Sequence, residues 1–240
     1  MTPAVGPQTG SGARLGPETA TPVEAAIADA RARSRAYGAF AQFFEYPDDA
    51  RAAHIRSGAL AADLVDALAA LDVVGTTATD IEVLSEAGAP GTMAIEFTRL
   101  FEAGAGGASL HGSAYGASGM KDMEEVMRFY RHFGLALAET PRELPDHLAT
   151  ELEFLHFLAF REAGTLAAGA DAGPWQRAQR DFVVRHPGRW VPQLRRRVER
   201  RQPMRLHAVL LARLEALLAQ APARCGGVTG NPASPTSASV

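Results

Sequence analysis

The chain has 240 residues, of which 47% are hydrophobic and 21% charged, so it can bury a core and is not a disordered polymer. The net charge of −3 gives no overall attraction to nucleic acid or to an anionic membrane surface. The single cysteine, Cys225, excludes an internal disulfide and a cysteine-based zinc site and fits a reducing compartment. Neither a span of about 18 apolar residues nor a secretory signal is present, which favours a cytoplasmic protein without a membrane span.

Composition divides the chain into three parts. Residues 1–22 and 222–240 are rich in Gly, Pro, Thr, Ser and Ala and are expected to be flexible tails. Between them, residues 23–221 show apolar side chains at intervals of three and four almost throughout, without a long alternating stretch. The sequence therefore predicts a single all-α domain, a bundle of about eight to ten helices.

The helical stripes follow one another in chain order. The first extends from Ile27 to Phe44 and should end at Pro47, because the residue before a proline disfavours helical backbone. The later stripes are Leu60–Leu71, a short one around Ile81 and Leu84, Met93–Phe101, Met120–Phe133, a long central one from Pro145, Trp175–Val184, Trp190–Val198 and Met204–Leu218.

Glycines interrupt the helical pattern between residues 102 and 119. A loop of this length inside a compact domain is often functional. Because it precedes a helix, its N–H groups could hold an anion, and an alternative function is a small helical regulator or enzyme that binds a nucleotide there. However, the loop has neither a dinucleotide-binding glycine pattern nor a phosphate-loop lysine before Lys121.

The start of the central helix carries polar residues. Pro145 is expected as the first helical residue, where its missing N–H does no harm, with Asp146 in the first turn, where a negative charge meets the positive end of the dipole. Asp146 and His147 are expected to be exposed at this helix end. They should therefore matter for interaction more than for folding.

Candidate reaction centres are weak. Glu153 and His156 have the Glu-x-x-His spacing of di-iron bundles, but no second copy exists. His147 and Glu151 lie one turn apart and could share a metal, yet two ligands do not make a site. Ser113 is not in a nucleophile elbow. The residues therefore predict no metal, no cofactor and no catalytic activity.

Arginines are concentrated near the C-terminal end. The segment from Gln176 to Arg205 contains ten arginines against Asp181 and Glu199. Such a run can bind nucleic acid, but it is more often a solvated helix face. Contact with an acidic partner surface is favoured over nucleic acid.

Two blocks carry a family resemblance. The first is Glu96-Phe97-Thr98-Arg99-Leu100-Phe101; the second is Pro145-Asp146-His147-Leu148, continued by Glu151-Leu152-Glu153-Phe154-Leu155. They resemble the Glu-aromatic-x-Arg-Leu-Phe and Pro-Asp-His-hydrophobic signatures of the TorD/DmsD/NarJ-type chaperones, which mature redox enzymes. The resemblance spans roughly residues 30–218.

Three more blocks point to a subgroup of that family. They are Leu110-His111-Gly112-Ser113-Ala114-Tyr115, Met123-Glu124-Glu125-Val126-Met127-Arg128-Phe129-Tyr130 and Arg180-Asp181-Phe182-Val183-Val184-Arg185-His186-Pro187. They are similar to chaperones encoded with type II enzymes of the dimethyl sulfoxide reductase family. These enzymes include dimethylsulfide dehydrogenase, selenate reductase, chlorate reductase and ethylbenzene dehydrogenase.

The resemblance implies a helical, non-enzymatic chaperone. Such a chaperone binds the apo catalytic subunit of a molybdenum enzyme, often with its twin-arginine leader. It holds the subunit in the cytoplasm until the molybdopterin cofactor is inserted, and only then is the subunit exported. Weak guanine nucleotide binding has been linked to some relatives.

The resemblance also indicates which residues serve which purpose. Glu96, Phe97, Arg99, Leu100 and Phe101 form a structural signature, with the apolar members in the core. Partner contacts are expected from Tyr115, Pro145, Asp146, His147, Glu151 and Glu153. A leader needs apolar surface beside acidic groups. The sequence therefore predicts one groove, edged by Tyr115 and lined by the methionines of the helix from Met120 and by the acids Asp122, Glu124, Glu125, Glu151 and Glu153.

Overall fold

The computed structural model of the chain describes residues 20–102, 107–116, 119–136 and 144–225. Within these ranges there are ten α-helices, which confirms the predicted all-α bundle. They are α1 (Pro22–Phe43), α2 (Asp49–Arg56), α3 (Ala59–Ala70), α4 (Asp80–Leu84), α5 (Thr92–Phe97), α6 (Gly119–His132), α7 (Leu148–Ala167), α8 (Gly173–Arg185), α9 (Pro187–Glu199) and α10 (Arg205–Arg224). No helix in these ranges is long and apolar enough to cross a bilayer.

Helix α7 lies at the centre of the bundle. Its inward residues Leu152, Leu155, Leu158 and Ala159 are completely buried. It packs mainly on α1 and also on α8, and α1 in turn packs on α3. Gly38 lets α1 approach α7 closely, because a side chain there would come within 3.1 Å of the His156 ring.

A buried ion pair joins the helices around α7. The guanidinium of Arg33 on α1 lies 2.9 Å from a carboxylate oxygen of Glu162 on α7, and both side chains are 2% exposed. Gln179 on α8 donates a hydrogen bond of 2.7 Å to the same carboxylate. Breaking a buried pair on one side leaves an uncompensated charge, so these contacts fix the mutual position of three helices.

The C-terminal helix extends further than the sequence suggested. Helix α10 ends at Arg224, and Cys225 is buried, with its sulfur accepting a hydrogen bond of 3.4 Å from Arg33. The expectation that Cys225 lies in a flexible tail is therefore wrong. Leu218, Ala221 and Cys225 continue the apolar face of α10 past Pro222. Residues 1–19 and 226–240, which form most of the predicted tails, lie outside the described ranges.

The Glu96–Phe101 block holds two distant parts of the chain together. Helix α5 continues as a π-helical turn over Thr98–Glu102, and Phe97, Leu100 and Phe101 are buried as expected. Glu96 accepts two hydrogen bonds from Arg99 and one of 2.9 Å from the N–H of Met204, which precedes α10. The polar members of the signature therefore tie α5 to the start of α10.

One helix was not expected. Helix α2 contains only two buried residues, Ala52 and Ile55, so it has too short an apolar pattern to stand out. Its start is marked instead by Asp48, whose carboxylate accepts a hydrogen bond of 2.9 Å from the N–H of Arg51. Asp48 directly after Pro47 is the N-cap signal that could have predicted it.

Replacement of Phe97 tests the packing of the signature block. Phe97 is 4% exposed and Ile95, in the same helix, is 72% exposed. We expect Phe97→Ala to lower the free energy of unfolding by about 3–5 kcal/mol, because truncating a buried aromatic ring leaves a cavity. Ile95→Ala should change it by about 0.5 kcal/mol or less. Urea denaturation followed by circular dichroism measures both, and equal effects would contradict the packing.

Candidate functional site

The structure corrects the expected start of the central helix. Helix α7 begins at Leu148, so Pro145 and Asp146 precede it rather than occupy its first turn. His147 is the N-cap residue, and its Nδ1 accepts a hydrogen bond of 3.2 Å from the N–H of Ala149. A cap needs extended backbone and a side-chain acceptor, which the imidazole of His147 supplies here.

Residues 107–116 pack directly over this helix start. Gly112 donates its N–H to the carbonyl of Asp146 at 2.9 Å, and Leu148 donates its N–H to the carbonyl of Leu110 at 2.8 Å. These bonds form an antiparallel bridge between His111 and His147. Leu148 is the first residue of α7, where an N–H has no partner within the helix, so the loop supplies an acceptor that the helix lacks.

Asp146 anchors the loop from below. Its Oδ2 accepts a hydrogen bond of 2.8 Å from the N–H of Ser113, and its Oδ1 lies 3.5 Å from Nδ1 of His111. Burial alone would raise the pKa of Asp146, but the contacts with His111 and Ser113 outweigh burial and lower it to about 2. Asp146 is therefore a carboxylate at neutral pH, with its charge turned toward the loop.

The expected exposure of the Pro-Asp-His segment is wrong. Asp146 is 1% exposed and His147 5%, and Pro145 is buried as well. Burial lowers the pKa of His147 to about 4, so its ring is neutral and can act as a hydrogen-bond acceptor. The reason is tertiary, because the loop covers a helix end that would be open to solvent in an isolated helix.

Glu151 connects the helix start to α9. It is fully buried one turn into α7, and its Oε2 accepts a hydrogen bond of 3.2 Å from the indole Nε1 of Trp190. Burial raises the pKa of Glu151 well above its ordinary value, which favours the neutral carboxylic acid. Because Glu151 is 1% exposed, it does not reach the surface, and the expectation that it contacts a partner directly is wrong.

Tyr115 lies above Trp190 at the surface. The two rings stack with centroids 5.3 Å apart, and the Tyr115 hydroxyl donates a hydrogen bond of 2.8 Å to the carbonyl of Ser109. The guanidinium of Arg197 lies 4.3 Å from the centre of the Tyr115 ring. This half-buried tyrosine is therefore held in one orientation by contacts from the loop and from α9.

The space beneath Tyr115 is small. Tyr115, Asp122, Asp146, Glu151 and Trp190 line a pocket of about 20 Å³. That volume holds about one water molecule, whereas sites for small organic ligands are typically 300 Å³ or more. The pocket cannot admit a nucleotide, so the described part of the loop, residues 107–116, does not favour the nucleotide-binding alternative.

The predicted acidic groove is divided between separate surfaces. Glu153 is exposed and borders a different cleft of about 320 Å³ between α6 and α7, with Leu135, Phe154 and Phe157. Glu151 and Glu153 are two positions apart on a helix, which turns their side chains by about 200° relative to each other. A single groove lined by both is therefore impossible on one straight helix.

The other expected members of the groove are also dispersed. Met120 is exposed, whereas Met127 packs against the core. Asp122 lies beside Tyr115, but Glu125 pairs with Arg185 on α8 at 2.9 Å. Of these four side chains, only Asp122 lines the pocket beneath Tyr115, so they do not form one groove.

The two possible metal pairs have other partners. His147 caps α7 and Glu151 binds Trp190, while Nδ1 of His156 lies 2.8 Å from the carbonyl of Ser34. Within the described residues, no group of three or more His, Cys, Asp and Glu side chains could hold a metal ion.

The sequence did not identify Trp190 and Arg197 as parts of this site. A buried indole needs an acceptor and a buried carboxyl group needs a donor, so Trp190 and Glu151 satisfy each other. No local pattern relates two residues 39 positions apart. Gly112 is the loop residue that makes room for the indole, since any side chain there would come within 2.9 Å of the Trp190 indole nitrogen.

Comparison with known proteins gives consistent matches. The family described as nitrate reductase delta subunit matches residues 58–196, more than half of the chain. The selenate reductase assembly chaperone protein of Thauera selenatis is 49% identical over 77 residues, 32% of this chain and 40% of that protein. The chlorate reductase assembly chaperone protein of Ideonella dechloratans gives the same values.

A third relative matches over a shorter stretch. The dimethyl sulfide dehydrogenase assembly chaperone protein of Rhodovulum sulfidophilum is 52% identical over 65 residues, 26% of each chain. The aligned stretches thus cover 40% or less of these three relatives.

The Asp146 anchor predicts a pH-dependent contribution to stability. The pKa of Asp146 is about 2 in the folded chain and 3.8 ordinarily, so its stabilisation is present above pH 4 and is lost as the pH falls toward 2. We expect Asp146→Asn to reduce the free energy of unfolding by about 2 kcal/mol at pH 7 and by about half as much at pH 3.

Urea unfolding at the two pH values measures this difference. Asp66→Asn is the control, because Asp66 is exposed on α3 and forms no ion pair with another described residue. It should give no loss at either pH. A loss for Asp146→Asn that is equally large at both values would show that the carboxylate charge is not what anchors the loop.

A pair of glycine substitutions tests the contact between the loop and α9. Gly112→Ala places a methyl group 2.9 Å from the nitrogen of a buried indole, and we expect a loss of about 1–3 kcal/mol. Gly164→Ala on α7 meets no atom within 4 Å and should stabilise by about 0.5–1 kcal/mol. Thermal unfolding compares the two, and a neutral Gly112→Ala would mean that Trp190 does not pack closely on the loop.

Proposed function

Because this chain belongs to the nitrate reductase delta subunit family, we propose that it is an assembly chaperone and not an enzyme. Its client is the apo catalytic subunit of a molybdenum enzyme of the dimethyl sulfoxide reductase family. Three relatives named as assembly chaperones of selenate reductase, chlorate reductase and dimethyl sulfide dehydrogenase support this assignment. The chaperone acts in the cytoplasm, before the molybdopterin cofactor is inserted and the client is exported.

The observation that carries the proposal is the anchored loop. Its inner side is bound to Asp146 and to the backbone of Leu148, and its outer side presents Ala114 and Tyr115 to solvent. A loop that is already ordered loses little conformational entropy on binding. We assign the client-binding surface, hereafter the loop surface, to residues 111–116. The buried Asp146, His147 and Glu151 position this loop and do not touch the client.

The twin-arginine leader of the client needs a binding surface that combines acidic and apolar groups, which the loop surface does not offer. Its basic and apolar parts fit the cleft between α6 and α7, where Phe154 and Phe157 lie beside the exposed Glu153. Partial loss of hydration at the wall of the cleft and, after it, the negative charge of Glu45 raise the pKa of Glu153, so a bound arginine would relieve an unfavourable environment. We assign the leader to this cleft. A guanine nucleotide has no part in the proposal.

Co-purification from the native host tests the client and both surfaces. The tagged full-length chain is expressed in cells that lack the molybdenum cofactor, and bound proteins are identified by mass spectrometry. We expect a molybdoenzyme catalytic subunit to be enriched. Ala114→Arg should reduce its capture at least about tenfold, which corresponds to about 1.4 kcal/mol, because a large side chain then projects from the loop surface.

Controls separate the two surfaces. Ala69→Arg makes the same change at an exposed position on α3 and should leave capture intact. Glu153→Lys should weaken capture of the full-length client but not of a client without its leader. Circular dichroism verifies that every variant is folded. If no molybdoenzyme subunit is enriched by the unmodified chain, the proposed function is wrong.

A further inference from the structure

Helix α9 carries a row of arginines that faces away from the protein. Its buried side consists of Trp190, Val191, Leu194 and Val198. Arg189, Arg196 and Arg200 are exposed and, at spacings of seven and four, lie on the opposite side of the helix. At 1.5 Å per residue, this arginine row is about 16 Å long.

Ion pairs among the described residues do not account for these three charges. No carboxylate in the described part of the chain lies within 4.0 Å of the three guanidinium groups, whereas Arg195 on the flank pairs with Glu199 and Glu215 at 2.8 and 3.0 Å. Arg189 lies in the first turn of α9, where a positive charge opposes the helix dipole. Arg196 and Arg200, at the other end of α9, are favoured by the helix dipole, but that effect needs no row along the whole exposed side of the helix.

The row also continues the loop surface. Arg189 lines the pocket beneath Tyr115, and Arg197, one position beyond Arg196, lies over the Tyr115 ring. A molecule seated on the loop surface would thus extend over the exposed side of α9. The arginine row and the loop surface form one continuous face.

We propose that Arg189, Arg196 and Arg200 bind a carboxylate-rich surface patch of the apo catalytic subunit. This inference rests on the proposed function and adds the charge of the client surface that is recognised. A guanidinium group binds a carboxylate through two parallel hydrogen bonds, which gives orientation as well as attraction. A nucleic acid fits less well, since the chain as a whole carries −3 and the row contains no aromatic side chain on which bases could stack.

Charge reversal tests the arginine row. The probe is the catalytic subunit recovered by co-purification, and its affinity for the full-length chain is measured by surface plasmon resonance. The triple variant Arg189→Glu, Arg196→Glu, Arg200→Glu should bind at least about tenfold more weakly, because like charges then face each other. Raising the salt concentration from about 50 to 300 mM should weaken binding of the unmodified chain to the catalytic subunit markedly. It should weaken binding of the triple variant little.

The control variant replaces three other exposed arginines, Arg31, Arg56 and Arg131, by glutamate. Arg56 and Arg131 lie in the last turns of their helices, as Arg196 lies in the last turn of α9 and Arg200 directly after it, so the helix-dipole effects are matched at these two positions. This control should change affinity less than about twofold.

The failures of the two proposals are distinguishable. If Ala114→Arg weakens client binding and the arginine variant does not, the inference about the row is wrong and the proposed function stands. If the unmodified chain binds no client, both are wrong. If the arginine variant binds the client normally but loses micromolar affinity for a 30-base-pair duplex, the row serves nucleic acid instead.

Discussion

The buried start of α7 is the constraint on which the architecture of the site depends. An α-helix begins with N–H groups that have no partner within the helix, and this helix begins inside the protein, out of reach of water. The carbonyl of Leu110 and the imidazole of His147 supply two of the missing acceptors. Covering the helix start therefore requires the loop, and the loop brings Tyr115 to a fixed place at the surface.

Most of the polar signature residues work inside the protein. Glu96 receives hydrogen bonds from Arg99 and from the start of α10, and Glu151 receives one from Trp190. Such groups are expensive to bury unless they are paired, so each of them fixes the relative position of two elements. Their effect on a partner is indirect, because they determine the shape and the charge of the surface above them.

The acidic and basic side chains of the proposed binding surfaces lie on separate parts of the protein surface. Acidic and apolar groups meet at the cleft near Glu153, whereas arginines that have no carboxylate partner among the described residues occupy the outer side of α9. The loop surface lies next to this arginine row. A client can therefore be recognised by opposite kinds of chemistry at separate places, which supports selectivity for one partner more than affinity for many.

The sequence by itself determined the helices and the core, since both follow from spacing along the chain. The apolar stripes located most of the helices, and Phe97, Leu100 and Phe101 lie in the core as their periodicity required. Short-range signals were insufficient for α2, which buries only two side chains, and for the end of α10, whose apolar face continues past Pro222. Only the tertiary structure decided which polar residues meet. Whether Asp146 is open or covered depends on a loop more than 30 positions away, and whether the buried Glu151 finds a hydrogen-bond donor depends on Trp190 in another helix, because burial and pairing are properties of the assembled fold.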